Sequence, residues 1–169
     1  NYIDLLIILV LVYFASEAIR HGFWVILADF FAFLGSLIIS LRAYKFLAGA
    51  LRANFSLPHS VANALGFLVT AIVSEAILGY LLAHLISLVP KKLRKGRLSK
   101  VLAVVPALGE GLVLVAFLLT LTLALPIKPA IKNDITESKI GSLILERTSK
   151  AEKAINEVFG GVIDDSLTY

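Results

Sequence analysis

The chain has no cysteine and no methionine, and only 17% of its 169 residues are charged. Without cysteine, disulfides and thiolate metal sites are excluded. Without methionine the sequence has no initiator, and it stops abruptly at Thr168-Tyr169, so we expect a segment of a longer chain. The shortage of charge is more informative. Soluble domains run about a quarter charged and about half apolar, whereas 59% of this chain is apolar and its mean hydropathy is +0.90. Too few charges remain to coat a globule. Residues 1–127 hold ten Lys/Arg and five Asp/Glu, and residues 128–169 hold six and seven. The basic excess thus sits in short gaps of the oily part, which suits a membrane protein and argues against a nucleic-acid partner.

Catalytic spacing is missing too. There is no His-Glu-x-x-His, no Gly-x-Ser-x-Gly, no phosphate loop and no dinucleotide fingerprint. His21, His59 and His84 are scattered over loop and membrane positions and form no ligand cluster. We expect no catalytic residue, no metal, no cofactor and no enzyme activity.

What is abundant is long apolar runs. A bilayer core about 30 Å thick needs about 20 apolar helical residues, and four stretches qualify: roughly 2–19, 23–42, 61–89 and 101–126. The first, "NYIDLLIILVLVYFASEAIRHGFW", pauses at Arg20-His21-Gly22 and turns oily again at Phe23, so it reads as one arm of a transmembrane hairpin. Asp4 stands where a cleaved signal peptide needs its basic region. In the first turn of a helix its carboxylate is expected to meet that helix's own free N–H groups. The predicted fold class is all-α: a four-span transmembrane helical bundle over 1–126, followed by a C-terminal extramembrane amphipathic helical segment over 127–169.

Loop charge sets the orientation. Arg20 lies at the first tip and "PKKLRKGRLSK" adds six basic residues at the second, against Arg42, Lys45 and Arg52 on the opposite side. The positive-inside bias then puts both tips in the cytoplasm and both termini outside. The expected location is the cytoplasmic (inner) membrane, with the bilayer as first partner.

Apolar spans associate in lipid through close backbone contact and polar contacts. Span two carries a small residue every fourth position, at Ala28, Ala32, Ser36 and Ser40; span three does so at Ala62, Gly66, Thr70 and Ser74, with a second row at Ala71, Glu75, Gly79, Ala83 and Ser87. Span four offers Ala103, Ala107 and Gly111. Three acids, Asp29, Glu75 and Glu110, fall within spans and beside these rows. Each costs about 2.5–3.5 kcal/mol at mid-membrane, so each should face protein or water. Two readings fit them: a proton or cation path, or hydrogen-bonded glue between helices. Pro106, Gly109 and Gly111 predict a kink or break beside Glu110.

After Pro126, "LPIKPAIKND" reads as an extended connector. Beyond it Ile140, Leu143, Ile144, Ala151, Ala154, Ile155, Val158 and Phe159 form a one-sided helical stripe. Ser149 and Glu152 suggest a capping box, hence two helices meeting near Thr148, and Gly160-Gly161 is expected to end the second. The stripe suits the outer membrane surface, the bundle, or a second copy in a homo-oligomer.

Asn1, Asp4, Arg20, Gly22 and Phe23, then Gly35, then Pro58 with Asn63, then "LSKVLAVVPALGEGLVLVAFLL" containing Gly111, together resemble the colicin V production protein (CvpA) family in order and spacing over about residues 1–126. Two departures stand out. Ala18 and Ile19 replace the opening residues of a tip that usually reads nearer Gly-Tyr-Arg-Arg-Gly-Phe, and Glu110 stands where the family often has a basic residue. The resemblance implies a non-enzymatic inner-membrane protein linked to toxin production or export and to envelope maintenance. It also implies an exported domain or partner protein on the outer side. The rival reading, from the intramembrane acids, is a small proton- or ion-coupled transporter or channel subunit.

Overall fold

A computed structural model describes residues 1–124 and 127–166, with the side chains of 124, 151–152 and 160–166 left aside. In chain order the helices are α1 (Tyr2–His21), α2 (Phe23–Phe55), α3 (His59–Ser87), α4 (Lys91–Arg94), α5 (Arg97–Leu102), α6 (Val104–Ala124), α7 (Pro129–Thr136), α8 (Lys139–Arg147) and α9 (Ser149–Ser166). No strand occurs among the described residues. Four segments are long and apolar enough to cross a membrane: α1, α2, α3 and residues 97–123. Their outward faces are oil, with Leu5, Leu9, Ile72 and Ile77 all exposed. Such continuous apolar surface is stable only where lipid replaces water. The chain is therefore a multi-pass membrane protein.

Helices α2 and α3 form the tightest pair in the bundle. The buried row on α2 runs Ala28, Ala32, Ser36, Ser40, Tyr44, Ala48, one residue per turn. Facing it, α3 buries Ala62, Gly66 and Ser74. At Gly66 the approach is backbone to backbone: an added Cβ would lie 2.8 Å from the Tyr44 carbonyl oxygen and 3.0 Å from the Ala48 nitrogen. Ser36 and Ser40 return their hydroxyls to the α2 backbone, donating to the carbonyls of Phe33 and Ser36. The two α2 serines thus bring small volume to the crossing with their hydroxyls already bonded within their own helix.

The structure corrects the expected end of the second span at 42. Helix α2 runs on to Phe55 and stops at Ser56, in the left-handed conformation at φ 52°. Nothing in residues 43–55 breaks a helix, and the nearest proline is Pro58. The break in the fourth span lies where α5 gives way to α6 at Ala103. Pro106 has no N–H to offer the Leu102 carbonyl one turn back, which accounts for an interruption at that point.

The connector expected after Pro126 is helical from Pro129, with proline in the first turn, where its missing N–H costs nothing. Helices α8 and α9 meet at Thr148, as the spacing predicts. The capping partner proposed for Ser149, Glu152, lies outside the described side chains. Gly160-Gly161 does not end α9, which continues to Ser166. No proline follows the pair, and glycine inside a helix costs only about 1 kcal/mol against alanine. The apolar stripe of the tail packs on the bundle. Ile135 joins Ile3, Ile7, Val115 and Leu119 in one buried cluster, while Ile155, Val158 and Phe159 join Tyr44 and Phe67 in another.

Candidate functional site

The tail meets the bundle at the start of α1. Asn1 caps that helix, its side-chain oxygen accepting from the Ile3 N–H at 3.1 Å. That leaves Asp4 free of the capping role expected of it, and its carboxylate reaches across to α8 instead. One oxygen accepts the Ser138 hydroxyl at 2.6 Å and the Ile140 N–H at 2.8 Å. Ser138 in turn caps α8, accepting from the Gly141 N–H at 2.9 Å. The Asn1 side-chain amide donates to the Asp134 carbonyl at 2.6 Å. A single carboxylate therefore holds one first-turn amide and the capping hydroxyl of a helix more than a hundred residues away, and charge-assisted bonds of this kind are roughly twice as strong as neutral ones.

A second clamp holds α9. Phe67 of α3 stacks on Phe117 of α6, and Phe159 of α9 meets both edge-on, with ring centroids 5.3 to 6.5 Å apart. Aromatic pairs in such offset and edge-on arrangements add about 0.5–1.5 kcal/mol each beyond the area they bury. Lys45 bonds Glu157 at 3.2 Å beside them, but both ends are exposed, and such surface pairs contribute about 0–1 kcal/mol.

The three intramembrane acids come from α2, α3 and α6. Glu110 is half-buried and within electrostatic reach of both Asp29 and Glu75, and Asp29 is within reach of His21. Asp29 and Glu75 are exposed on the sides of their helices. None of the three makes a hydrogen bond or ion pair among the described residues. Asp29 stands six residues into α2, about 9 Å from that end at a rise of about 1.5 Å per residue. Among the described residues, no group of three or more His, Asp or Glu side chains is arranged to hold a metal ion.

A family model described as colicin V production protein matches residues 3–150. The chain belongs to the colicin V production protein family. No curated protein and no solved structure matches it. The family match extends past residue 126 and takes in α7 and α8, so Asp4 and its receptor Ser138 both lie inside it.

The positions that carry the resemblance to the colicin V production proteins sit at turns and crossings. Gly22 separates α1 from α2 at φ 82°, a value that favours glycine. An added Cβ there would lie 3.0 Å from the Arg94 carbonyl oxygen. Arg20 is exposed beside it, paired with Glu17 at 3.5 Å, and Phe23 opens α2 with its N–H bonded to Ser99 at 3.0 Å. Gly35 faces the Leu78 side chain, Pro58 stands just before the first residue of α3, and Asn63 is half-buried in the first turns of α3. Gly111 receives Leu11 and Phe14 of α1, while Gly109 receives Phe30 of α2. Of the packing residues, Ala32, Ser36 and Gly66 are buried and Thr70 is half-buried. Gly79 has open space where a Cβ would go, and its neighbours Glu75, Ala83 and Ser87 are exposed. Sequence reasoning missed Ser99 and Ser138. Each is a small buried polar residue in an otherwise polar stretch, and only its distant partner marks it out.

Proposed function

We infer that this member of the colicin V production protein family is a non-enzymatic anchor in the cytoplasmic membrane, with both termini outward. It serves toxin production or export and envelope maintenance by holding an extracytoplasmic domain or partner protein at a set place. The observation that carries this reading is the dock between Asp4 and Ser138. A simple tether needs no such fixture, whereas an anchor that orients its cargo does. The buried faces of α7, α8 and α9 support the same view, since they make the tail a strut fixed at two points.

Orientation is tested by single cysteines, because the chain offers no competing thiol. Lys95→Cys is expected to react with an impermeant maleimide only after the cells are opened, and Lys139→Cys before. The reverse pattern would overturn the topology.

The convergence of Glu110 with Asp29 and Glu75 favours the second reading, a proton- or ion-coupled path. The anchor reading predicts that liposomes containing the protein hold a proton gradient as well as empty ones, and that Glu110→Gln changes nothing. A leak that Glu110→Gln abolishes would replace the anchor with the transporter.

A further inference from the structure

At the end of the bundle remote from the tail, the two hairpin tips touch. Gly22 of the first lies against the Arg94 carbonyl and the Ser99 hydroxyl of the second. The Ser99 oxygen joins them, accepting the Phe23 N–H at 3.0 Å and donating to the Arg94 carbonyl at 3.3 Å. Between the tips is a pocket of about 370 Å³ lined by Arg20, His21, Gly22, Arg94, Lys95 and Lys100. No acid lines it.

The charges of the pocket divide into two sides. Arg20 and His21 share Glu17, at 3.5 and 3.3 Å, and Asp29 acts on His21 from α2. Arg94, Lys95 and Lys100 have no ion-pair partner among the described residues. The Arg94 Nε is buried and makes no hydrogen bond, although a buried guanidinium N–H ordinarily has an acceptor. The long helix α2 starts at the pocket wall with no acid in its first turn and with Gly22, which has no side chain, as its N-cap; the neutral Ser99 hydroxyl takes only the Phe23 N–H, so the helix dipole adds to the positive potential. Topology accounts for basic residues being on this side of the membrane. It does not account for cations from two separate tips converging on one cavity, or for one of them, Arg94, carrying a buried nitrogen without an acceptor.

We propose that this pocket binds a phosphate group. Arg94 supplies the planar fork that suits phosphate oxygens, while Lys95 and Lys100 supply point charges on flexible stems. The group can arrive as an anionic lipid headgroup at the membrane surface, where basic pockets between helices take such groups, or as soluble phosphate.

The test uses the purified full chain in detergent. In one arm, native mass spectrometry follows binding from an equimolar mixture of phosphatidylglycerol and phosphatidylcholine. In the other, calorimetry follows inorganic phosphate with no added lipid. Preference for one phosphatidylglycerol per chain without phosphate binding assigns the site to lipid, and phosphate binding assigns it to the soluble anion. Lys95→Gln with Lys100→Gln should weaken whichever binding occurs by about tenfold or more. Lys91→Gln with Arg97→Gln removes the same charge from exposed residues outside the pocket and should leave binding intact. Absence of both kinds of binding, or equal weakening by the two double variants, would overturn the proposal.

Discussion

Gly66→Leu is expected to abolish accumulation of the folded protein in the membrane, and Gly66→Ala to destabilise it by about 3 kcal/mol, the upper end of the overpacking range. The reason is what the added carbon meets. At Gly66 it meets the Tyr44 carbonyl oxygen at 2.8 Å and the Ala48 nitrogen at 3.0 Å, both backbone atoms of α2 that cannot rotate away. Relief requires α2 and α3 to separate, which would strip contact from the whole small-residue face. Gly35→Ala is a milder case, since its 2.9 Å neighbour is the far end of the Leu78 side chain, which can change rotamer. Gly79→Ala meets nothing within 4 Å and should stay within about 0.5 kcal/mol of the parent. Unfolding by denaturing detergent, titrated against a mild one, ranks the three. Equal midpoints for Gly66→Ala and Gly79→Ala would show that the α2–α3 crossing does not hold the bundle together.

That ranking also marks how far the sequence could be read. Spacing alone separates Ala62, Gly66 and Ser74 from the surface of α3, because close approach in lipid needs small residues at helical period. The same logic applied to Glu75, Gly79 and Ala83 points to a face that the described helices leave uncovered. Small residues permit close packing, but only a neighbouring helix creates it. The end of α2 was illegible for a related reason. Arg42, Lys45 and Arg52 look like loop charge, yet Tyr44 and Ala48 extend the buried row, and the cluster that buries Tyr44 joins Phe67 of α3 to Ile155, Val158 and Phe159 of α9, more than a hundred residues later. Asp4 was visible as an acid at a helix start. Its partner was not, because nothing local distinguishes the helix an N-terminal acid will cap.

Asp4→Ala should therefore loosen the first part of the tail and leave the spans intact. The substitution removes the acceptor of both the Ser138 hydroxyl and the Ile140 N–H, leaving Ser138, fully buried, with a donor and no partner. Hydrogen exchange read by mass spectrometry should show the segment 138–147 exchanging at least about tenfold faster, the change expected when roughly 1.4 kcal/mol of local protection is lost. Ser138→Ala removes the cap of α8 as well and should cost about 1–2 kcal/mol. Asp4→Asn keeps an acceptor oxygen without the charge and should fall between Asp4→Ala and the parent. Segment 153–159 should keep its protection in all three variants, because Phe159 is held separately against Phe67 and Phe117. Phe159→Ala should give the converse, opening α9 while α8 stays closed. Loss of protection along 127–159 in every variant would mean that the tail docks as one cooperative unit. Unchanged exchange at 138–147 in Asp4→Ala would mean that packing of Ile135 on Ile3, Ile7, Val115 and Leu119 holds α8 without the carboxylate, and the strut would then owe its place to oil rather than to charge.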